Sequence, residues 1–282
     1  MTIFRIATLM ACHNRKAKTL ACLDALFKNT LSEGYSLDVF LVDDGSTDGT
    51  AIAVKEKHPQ VNIITGNGQL FWNRGMHLAW QSASQANNYD FYLWLNDDTD
   101  IFPHSLSTML AAAETTGNRA VIVAPICSKI TGKLTYSGYQ SNGDFSADVR
   151  VEPTNHLVPI TYFCGNCVLV PRPVWEKVGP LDPLFHHSLG DFDYGFRVSK
   201  AGFKSFLAPE YLAYCEQHDT LPKWCLTSVP MKQRWATLYS PLGHCHPYYF
   251  FRYELRHFGL MVALRHFLSV NFRMLMPQLW EK

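Results

Sequence analysis

Apolar positions in the first half of the chain fall into short runs, separated by longer stretches in which they recur every three or four residues. The runs "IFRIATLM", "LDVFLVDD", "VNIIT", "FYLWLNDD" and "RAVIVAPI" have the length and the β-branched and aromatic content of strands. Segments between them, such as "KAKTLACLDALFKN" and "GMHLAWQSASQA", carry helical spacing. Strand and helix thus alternate. Right-handed crossovers then predict an α/β fold, an open, mostly parallel sheet with helices on both faces. Ligands bind such sheets beyond the carboxyl ends of the strands. Two runs end in acids there, Asp43 and Asp44 after "VFLV" and Asp97 and Asp98 after "FYLWL".

From about 128 to 160 the pattern loosens into a stretch rich in Gly, Ser, Asn and Asp, which reads as a hairpin and a surface loop or substrate lid. Order returns with a strand over 161–170, a Pro-initiated helix in "PRPVWEKVG", the loop "PLDPLFHHSLG" and a helix beginning near Asp191 in "DFDYGFRVSKAG". Past about 220 the chain turns aromatic and basic, and residues 248–282 hold five Arg or Lys against two Glu. A helical wheel over Leu260 to Leu275 sets Arg265, His266, Ser269 and Arg273 opposite Leu264, Phe267, Leu268, Val270, Met274 and Leu275. No uninterrupted run of about 20 apolar residues exists, so this helix is expected to lie on a membrane surface, on a partner or on its own domain. The predicted division is one domain over 1–220, its second part from about 128, and a helical extension over 221–282.

With 282 residues and 47% hydrophobic content the chain can bury a substantial core. A net charge of +1 and the lack of a long basic run leave nucleic acid without a binding surface, so no nucleic-acid partner is expected. The N-terminal segment lacks the n-region and cleavage site of a signal peptide, which predicts a cytoplasmic protein with reduced cysteines. Cys164 and Cys167 in "CGNC" have zinc-ligand or redox spacing, but no second pair accompanies them and the segment reads as a buried strand.

Asp97, Asp98 and Asp100 stand so close that their charges repel unless solvent, hydrogen bonds or a cation compensates them, and a divalent metal ion does so most economically. Together with "LVDDGSTDGT", "GNCVLVPRPVWEKVGPLD" and "GDFDYGFRVSKAGF", the cluster "LNDDTD" resembles the motifs of inverting glycosyltransferases of family 2, in their order along the chain. The resemblance covers about residues 3–218 and implies the family's A-type nucleotide-sugar fold. It implies an enzyme that moves a sugar from a nucleoside-diphosphate donor to a hydroxyl of a glycan acceptor, often rhamnose, galactofuranose or another hexose added to cell-surface polysaccharide. Mn²⁺ or Mg²⁺, held by hard oxygen ligands, would bind the diphosphate and neutralise its departing charge.

By that resemblance Asn96-Asp97-Asp98 occupies the DxD position, with Asp98 a metal ligand and Asp97 serving the ribose or the metal. Asp44 would accept a hydrogen bond from the base, with Asp43 beside it, which favours uracil or thymine and so UDP or dTDP. Trp72 would stack on base or sugar and Arg74 would pair with the diphosphate; a core Trp and a salt-bridged Arg are the alternatives. Asp191 takes the place of the catalytic base, although Gly190 stands where the family often has Glu, and Asp193 reads as structural. His218 matches a third metal ligand, and His186 and His187 flank the acceptor loop. Asp100 reads as a loop or helix-capping residue. A lipid-linked acceptor would bring the enzyme to an anionic membrane, peripherally on its cytoplasmic face, and an oligomer is compatible with all of this. The rival readings are a haloacid-dehalogenase-like phosphatase, with Asp98 as nucleophile, and a sugar-nucleotide-binding module that leaves Asp191 unused. A dinucleotide oxidoreductase fails because the turn "ACHNRKAK" has no glycine.

Overall fold

The computed structural model describes residues 3–31, 33–142, 148–217, 221–243 and 245–280. The first half runs β1 (Phe4–Cys12), α1 (Lys16–Phe27), β2 (Tyr35–Asp43), α2 (Thr50–Lys57), β3 (Asn62–Thr65), α3 (Phe71–Ala86), β4 (Phe91–Leu95), β5 (Asp100–Ile101), α4 (Ser105–Thr115) and β6 (Ala120–Val123). Short strands follow: β7 (Ile126–Cys127), β8 (Leu134–Tyr136), β9 (Gly138–Gln140), β10 (Val149–Arg150), β11 (Val158–Ile160) and β12 (Tyr162–Phe163). Then come β13 (Cys167–Pro171), α5 (Arg172–Val178), α6 (Gly190–Lys200), β14 (Lys204–Leu207), β15 (Ala213–Tyr214), α7 (Met231–Leu238), α8 (Pro247–His257) and α9 (Leu260–Leu275).

Eight strands form the main sheet in the order β11-β14-β6-β13-β4-β1-β2-β3. β1 pairs in parallel with β2 and β4, β2 with β3, and β14 with β6, whereas β13 runs antiparallel between β4 and β6 and β11 antiparallel on the edge. The sheet is mostly parallel, as its sequence pattern predicts, with β13 the exception at its centre. Two smaller antiparallel or mixed sheets, β10-β9-β12 and β5-β15-β7-β8, stand beside it.

Strand pleat divides the core between the two faces. Ile6, Met10, Phe91, Leu93 and Leu95 face Leu23, Leu26, Val54, Leu106 and Met109 of α1, α2 and α4. Ala7, Leu9, Tyr92 and Trp94 face Met76, Trp80, Val174, Tyr194 and Val198 of α3, α5 and α6. β4 is buried along its whole length because helices cover it on both sides, which is why it reads as an unbroken apolar run. On the second face Trp80, Tyr92, Trp94 and Tyr194 pack as an aromatic group, with Trp94 and Tyr194 ring centroids 5.0 Å apart.

Three local differences from the sequence reading have physical causes. The strand expected over 161–170 is broken into β12 and β13 by a turn at Gly165 and Asn166, where the backbone N–H of Gly165 serves a side chain instead of a ladder. α3 begins at Phe71, four residues ahead of its apolar periodicity, because a carboxylate holds its first N–H groups. Asp100 does not cap α4, whose N-cap is His104; it lies in β5 opposite Tyr214. Of the loop and lid expected over 128–160, residues 143–147 lie outside the described residues.

α9 spans the range its sequence pattern predicts. One side, with Ala263, Val270 and Met274, is buried, and Val270 and Met274 join Trp224, Cys225 and Leu238 in a small core. A second apolar side, Leu260, Met261, Leu264, Leu268, Phe272 and Leu275, is exposed to solvent. α8 points the other way: Phe250 and Tyr253 pack on Tyr162, Phe185, Leu189 and Phe196.

Candidate functional site

Three acidic groups meet at the carboxyl edge of the sheet. At the end of β2, Asp43 and Asp44 are both nearly inaccessible. One oxygen of Asp44 accepts the backbone N–H of Gly68 (2.8 Å) and the other accepts those of Leu70 (2.8 Å) and Phe71 (2.9 Å). This carboxylate therefore caps the entry to α3, where free N–H groups and the helix dipole favour a negative charge. Asp44 was expected on the base, but both of its oxygens are committed to backbone. Asp43 Oδ1 accepts only the Ser46 N–H (2.9 Å), which leaves its second oxygen uncommitted among the described residues.

At the end of β4, Arg15 Nη1 bridges Asp97 Oδ1 (3.2 Å) and Asp98 Oδ2 (2.9 Å), and Lys18 Nζ stands 3.8 Å from Asp98. Burial raises Asp97 to about 6, Arg15 pulls it down and Asp98 pushes it up again. So Arg15 does not fully offset the burial of Asp97. Arg15 is the residue that sequence reasoning missed. Its signal was present: "HNRKAK" places a basic cluster directly after β1, on the ligand-binding edge.

Asp191, in the first turn of α6, forms the third group. Its Oδ2 accepts the N–H of Gly165 (2.9 Å) and its Oδ1 that of Phe192 (3.0 Å). Burial lifts its carboxyl to about 6 even though these backbone donors favour the ionised form. Leu189, just ahead of the helix, sits at φ 74, a left-handed conformation that costs a leucine on the order of 1–3 kcal/mol and persists only where its surroundings enforce it.

Trp72 joins the second and third groups. Its Nε1–H donates to Asn96 Oδ1 (2.6 Å), and its ring lies so close to Gly165 that a Cβ there would come within 2.6 Å of it. Asn73 beside it is fully buried and donates to the carbonyls of Asp182 (2.8 Å) and Phe185 (2.7 Å). Its Oδ1 fills the space a side chain would need at position 190, since a Cβ on Gly190 would lie 1.7 Å from it. The missing glutamate next to Asp191 is thus explained by Asn73.

The remaining expected residues lie nearby in other roles. Arg74 is turned away from the acidic pair, with Nε donating to the Pro183 carbonyl (2.9 Å) and Nη1 2.5 Å from His186 Nε2. Two groups of the 181–187 loop hold the guanidinium that was expected on the diphosphate. His186 Nδ1 lies 3.0 Å from the Tyr249 hydroxyl, and burial, with Arg74 beside it, lowers its pKa. His187 packs edge-on against Phe71. His218 lies outside the described residues. Cys167 is buried in β13 and Cys164 half-buried at the turn, both as free thiols.

Among the described residues no three His, Cys, Asp or Glu converge on one point. Asp97 and Asp98 nevertheless suit Mg²⁺ or Mn²⁺, which take one or two carboxylates and complete their shell with water and substrate phosphates. Burial, the main reason Asp97 is raised, is a cost to its charged form that a cation held there would offset.

Comparison with known proteins follows the same line. The family model Glycosyl transferase family 2 matches residues 8–170, more than half of the chain. An N-acetylglucosaminyl-diphospho-decaprenol L-rhamnosyltransferase of Mycobacterium tuberculosis is 27% identical over 207 residues, which make up 64% of this chain and 66% of that protein. Among solved structures, S. aureus TarS 1-349 in complex with UDP-GlcNAc aligns with a TM-score of 0.57 at 13% identity over 95% of this chain and 81% of that one. The mannosyltransferase PcManGT from Pyrobaculum calidifontis, in complex with GDP-Man and Mn²⁺, gives 0.56 at 16% identity over 94% and 74%. These likenesses establish an A-type glycosyltransferase fold.

The packing of Gly190 is directly testable. Gly190→Ala should destabilise the protein by about 1–3 kcal/mol, the usual cost of forcing atoms into a filled core, in chemical denaturation. Combining it with Asn73→Ala should remove the clash, so the pair should cost less than the two single changes together; strict additivity would show that Asn73 is not the obstacle.

Proposed function

The chain belongs to glycosyltransferase family 2, and from its site we propose that it transfers a sugar, with inversion, from a nucleoside-diphosphate sugar to a hydroxyl of a glycan acceptor. The observation that carries this reading is the bridge Asn96–Trp72–Gly165–Asp191, which holds an acidic pair suited to a diphosphate-bound cation beside a half-buried carboxylate that has no cationic partner among the described residues and is held by backbone N–H groups. Asp98, with Asp97, would hold Mg²⁺ or Mn²⁺. Such a cation, when bound, neutralises the charge that develops on the departing diphosphate.

Asp191 takes the proton of the acceptor hydroxyl as that oxygen bonds to the anomeric carbon. The bond from that carbon to the diphosphate oxygen breaks on the opposite face, and the nucleoside diphosphate leaves with the electron pair. A carboxyl that titrates near 6 is a stronger base than an exposed aspartate and is still ionised at neutral pH. Arg15 and Lys18 are the cations at hand for the diphosphate, because both already neutralise the edge where it would lie. Asp43, with an oxygen to spare, suits the ring N–H of uracil or thymine, while Asp44 shapes that pocket through the 68–71 backbone. UDP and dTDP donors follow, and the rhamnosyltransferase relative favours a deoxyhexose moved onto a lipid-linked glycan.

A lipid-linked acceptor requires work at a membrane surface, and the extension suits one. Residues 221–282 carry eight Lys or Arg against two Glu, a net +6, whereas residues 1–220 carry 17 against 22, a net −5. The exposed leucines of α9 lie in this basic segment. No helix among the described residues is long and apolar enough to cross a membrane. Peripheral docking on an anionic leaflet gains about 1 kcal/mol per basic residue near the surface and weakens with salt.

Three outcomes test these assignments. Asp98→Ala and EDTA should each abolish release of nucleoside diphosphate without lowering Tm; an active Asp98→Ala enzyme in metal-free buffer would remove the metal. With saturating donor and metal, kcat should rise with pH through about 6, since protonated Asp191 cannot accept a proton and ionised Asp191 can. Asp191→Asn should erase that limb and lower kcat by roughly a hundredfold or more, with donor binding kept; Tm should fall slightly, because the amide can accept only one of the two backbone N–H groups that the carboxylate holds. Finally, the full chain should co-sediment with vesicles containing phosphatidylglycerol at low salt and detach at high salt. Leu264→Glu with Leu268→Glu should abolish that binding at unchanged Tm, and indifference of the wild type to the vesicles would overturn the membrane assignment.

A further inference from the structure

α8 belongs to the extension by composition, yet its inward face ends at the helix that carries Asp191. Asp193, one residue beyond Phe192, has a side chain with no solvent exposure and three partners. Arg197 of the same helix donates through Nε to Oδ2 (2.8 Å). Arg256 Nη1 (2.7 Å) and His257 Nε2 (2.9 Å), both from the end of α8, hold Oδ1. Burial lowers the His257 pKa while Asp193 raises it, and since a carboxylate oxygen can only accept, the His257 Nε2–H is the donor. Arg256 also spans to Asp182 Oδ2 (2.7 Å), and the carbonyl of Asp182 receives Asn73 Nδ2. Asn73 in turn fills the space over Gly190, next to Asp191. Tyr249, one helical repeat and more ahead on α8, reaches His186 and through it Arg74.

We propose that α8 positions the catalytic base: Arg256 and His257 clamp Asp193 and thereby fix the first turn of α6, so that Asp191 faces the acceptor hydroxyl. This rests on the reading of Asp191 as base. Two features say that the turn needs an external hold. Leu189 enters α6 in a left-handed conformation that relaxes unless packing enforces it, and Phe250 and Tyr253 of α8 lie in the same apolar cluster as Leu189. Asp193 would otherwise keep one partner, Arg197, and a buried carboxylate left short of partners pulls its helix toward water. A displacement of about 1 Å at a reacting group can cost about a hundredfold in rate without loss of binding. Arg256 and His257 are positioning residues, since they act on Asp191 through Asp193 and Asp182.

The test uses the full chain and compares Asp191→Asn, Arg256→Ala, Arg256→Lys and Asp193→Asn. Arg256→Ala should lower kcat roughly ten- to a hundredfold while the Kd for UDP or dTDP with Mn²⁺, measured by calorimetry, stays within about twofold, because the nucleotide edge lies on β2 and β4. Arg256→Lys keeps the charge and should restore part of kcat. Arg256→Ala combined with Asp193→Asn should cost no more than the worse single change, as for residues that act as a unit. If Arg256→Ala does not accumulate as folded protein, Arg256→Lys alone must still show a lowered kcat with unchanged nucleotide Kd. A lowered Tm with wild-type kcat in either variant would make the clamp merely structural and overturn the proposal. Retained turnover in Asp191→Asn would instead overturn the base assignment on which it rests.

Discussion

The carboxylate of Asp44 accepts three backbone N–H groups, and the way the chain enters α3 depends on it. That entry is tight: Gly68 and Phe71 both have positive φ, and for Phe71 this is a strained conformation. A buried anion at a helix N-terminus holds it, because each N–H there lacks an intrahelical partner and the helix dipole adds to the attraction. Once Phe71 is fixed, Trp72 and Asn73 follow on different faces of the first turn. One reaches Asn96 and Gly165, the other Asp182, Phe185 and Gly190. The β4 edge and the wall formed by the 181–190 segment are thereby tied to a single helical turn, and an acid that looks like a ligand group shapes this edge through backbone.

The edge itself is held under electrostatic tension. Asp97, buried, and Asp191, half-buried, both have carboxyls raised to about 6 by desolvation, so each is less comfortable as an anion than an aspartate in water. Asp193, more deeply buried and two positions from Asp191, is lowered instead, because His257, Arg197 and Arg256 outweigh the desolvation that opposes them. The contrast separates the roles: a fully paired carboxylate stabilises a helix junction, and a poorly paired one stays available for a proton or a cation. Arg15 occupies the middle ground. At nearly half exposure it gives a modest interaction with Asp98 that a diphosphate, carrying more charge, can displace or recruit.

Local pattern made the strands, the order of the motifs and the span of α9 legible, since each is a periodicity or a run within one segment. What stayed hidden depends on contacts between distant segments. Arg15 meets Asp97 and Asp98 across more than eighty residues, and no local signal distinguishes it from Lys16 or Lys18. The direction of Arg74 follows from where α3 begins, and that is set by Asp44 rather than by the helix's own apolar spacing. The break at Gly165 was masked because Cys164 and Cys167 continue an apolar run on either side of it; only the meeting of Trp72 and Asp191 there demands a glycine. Gly190, which reads as a departure from the family pattern, is a consequence of Asn73.

The compositional break near residue 220 marks a change in charge, from −5 to +6, and charge reports what a surface meets rather than what a helix packs against. α9 keeps an apolar side in solvent, while α8 buries Phe250 and Tyr253 against Tyr162, Phe185, Leu189 and Phe196 and places Arg256 and His257 on Asp193. The two helices are joined by the contact of His266 with the buried Glu254. A change at the outer face of α9 therefore has a continuous packed route inward, through Glu254 on α8 to Asp193 and the first turn of α6. That route is physical intermediacy, and it becomes coupling only if α8 has two arrangements that an outer partner and the acceptor bias alike. The full pairing of Asp193 argues for one arrangement, so α8 is better understood as a rigid brace on the first turn of α6 than as a switch.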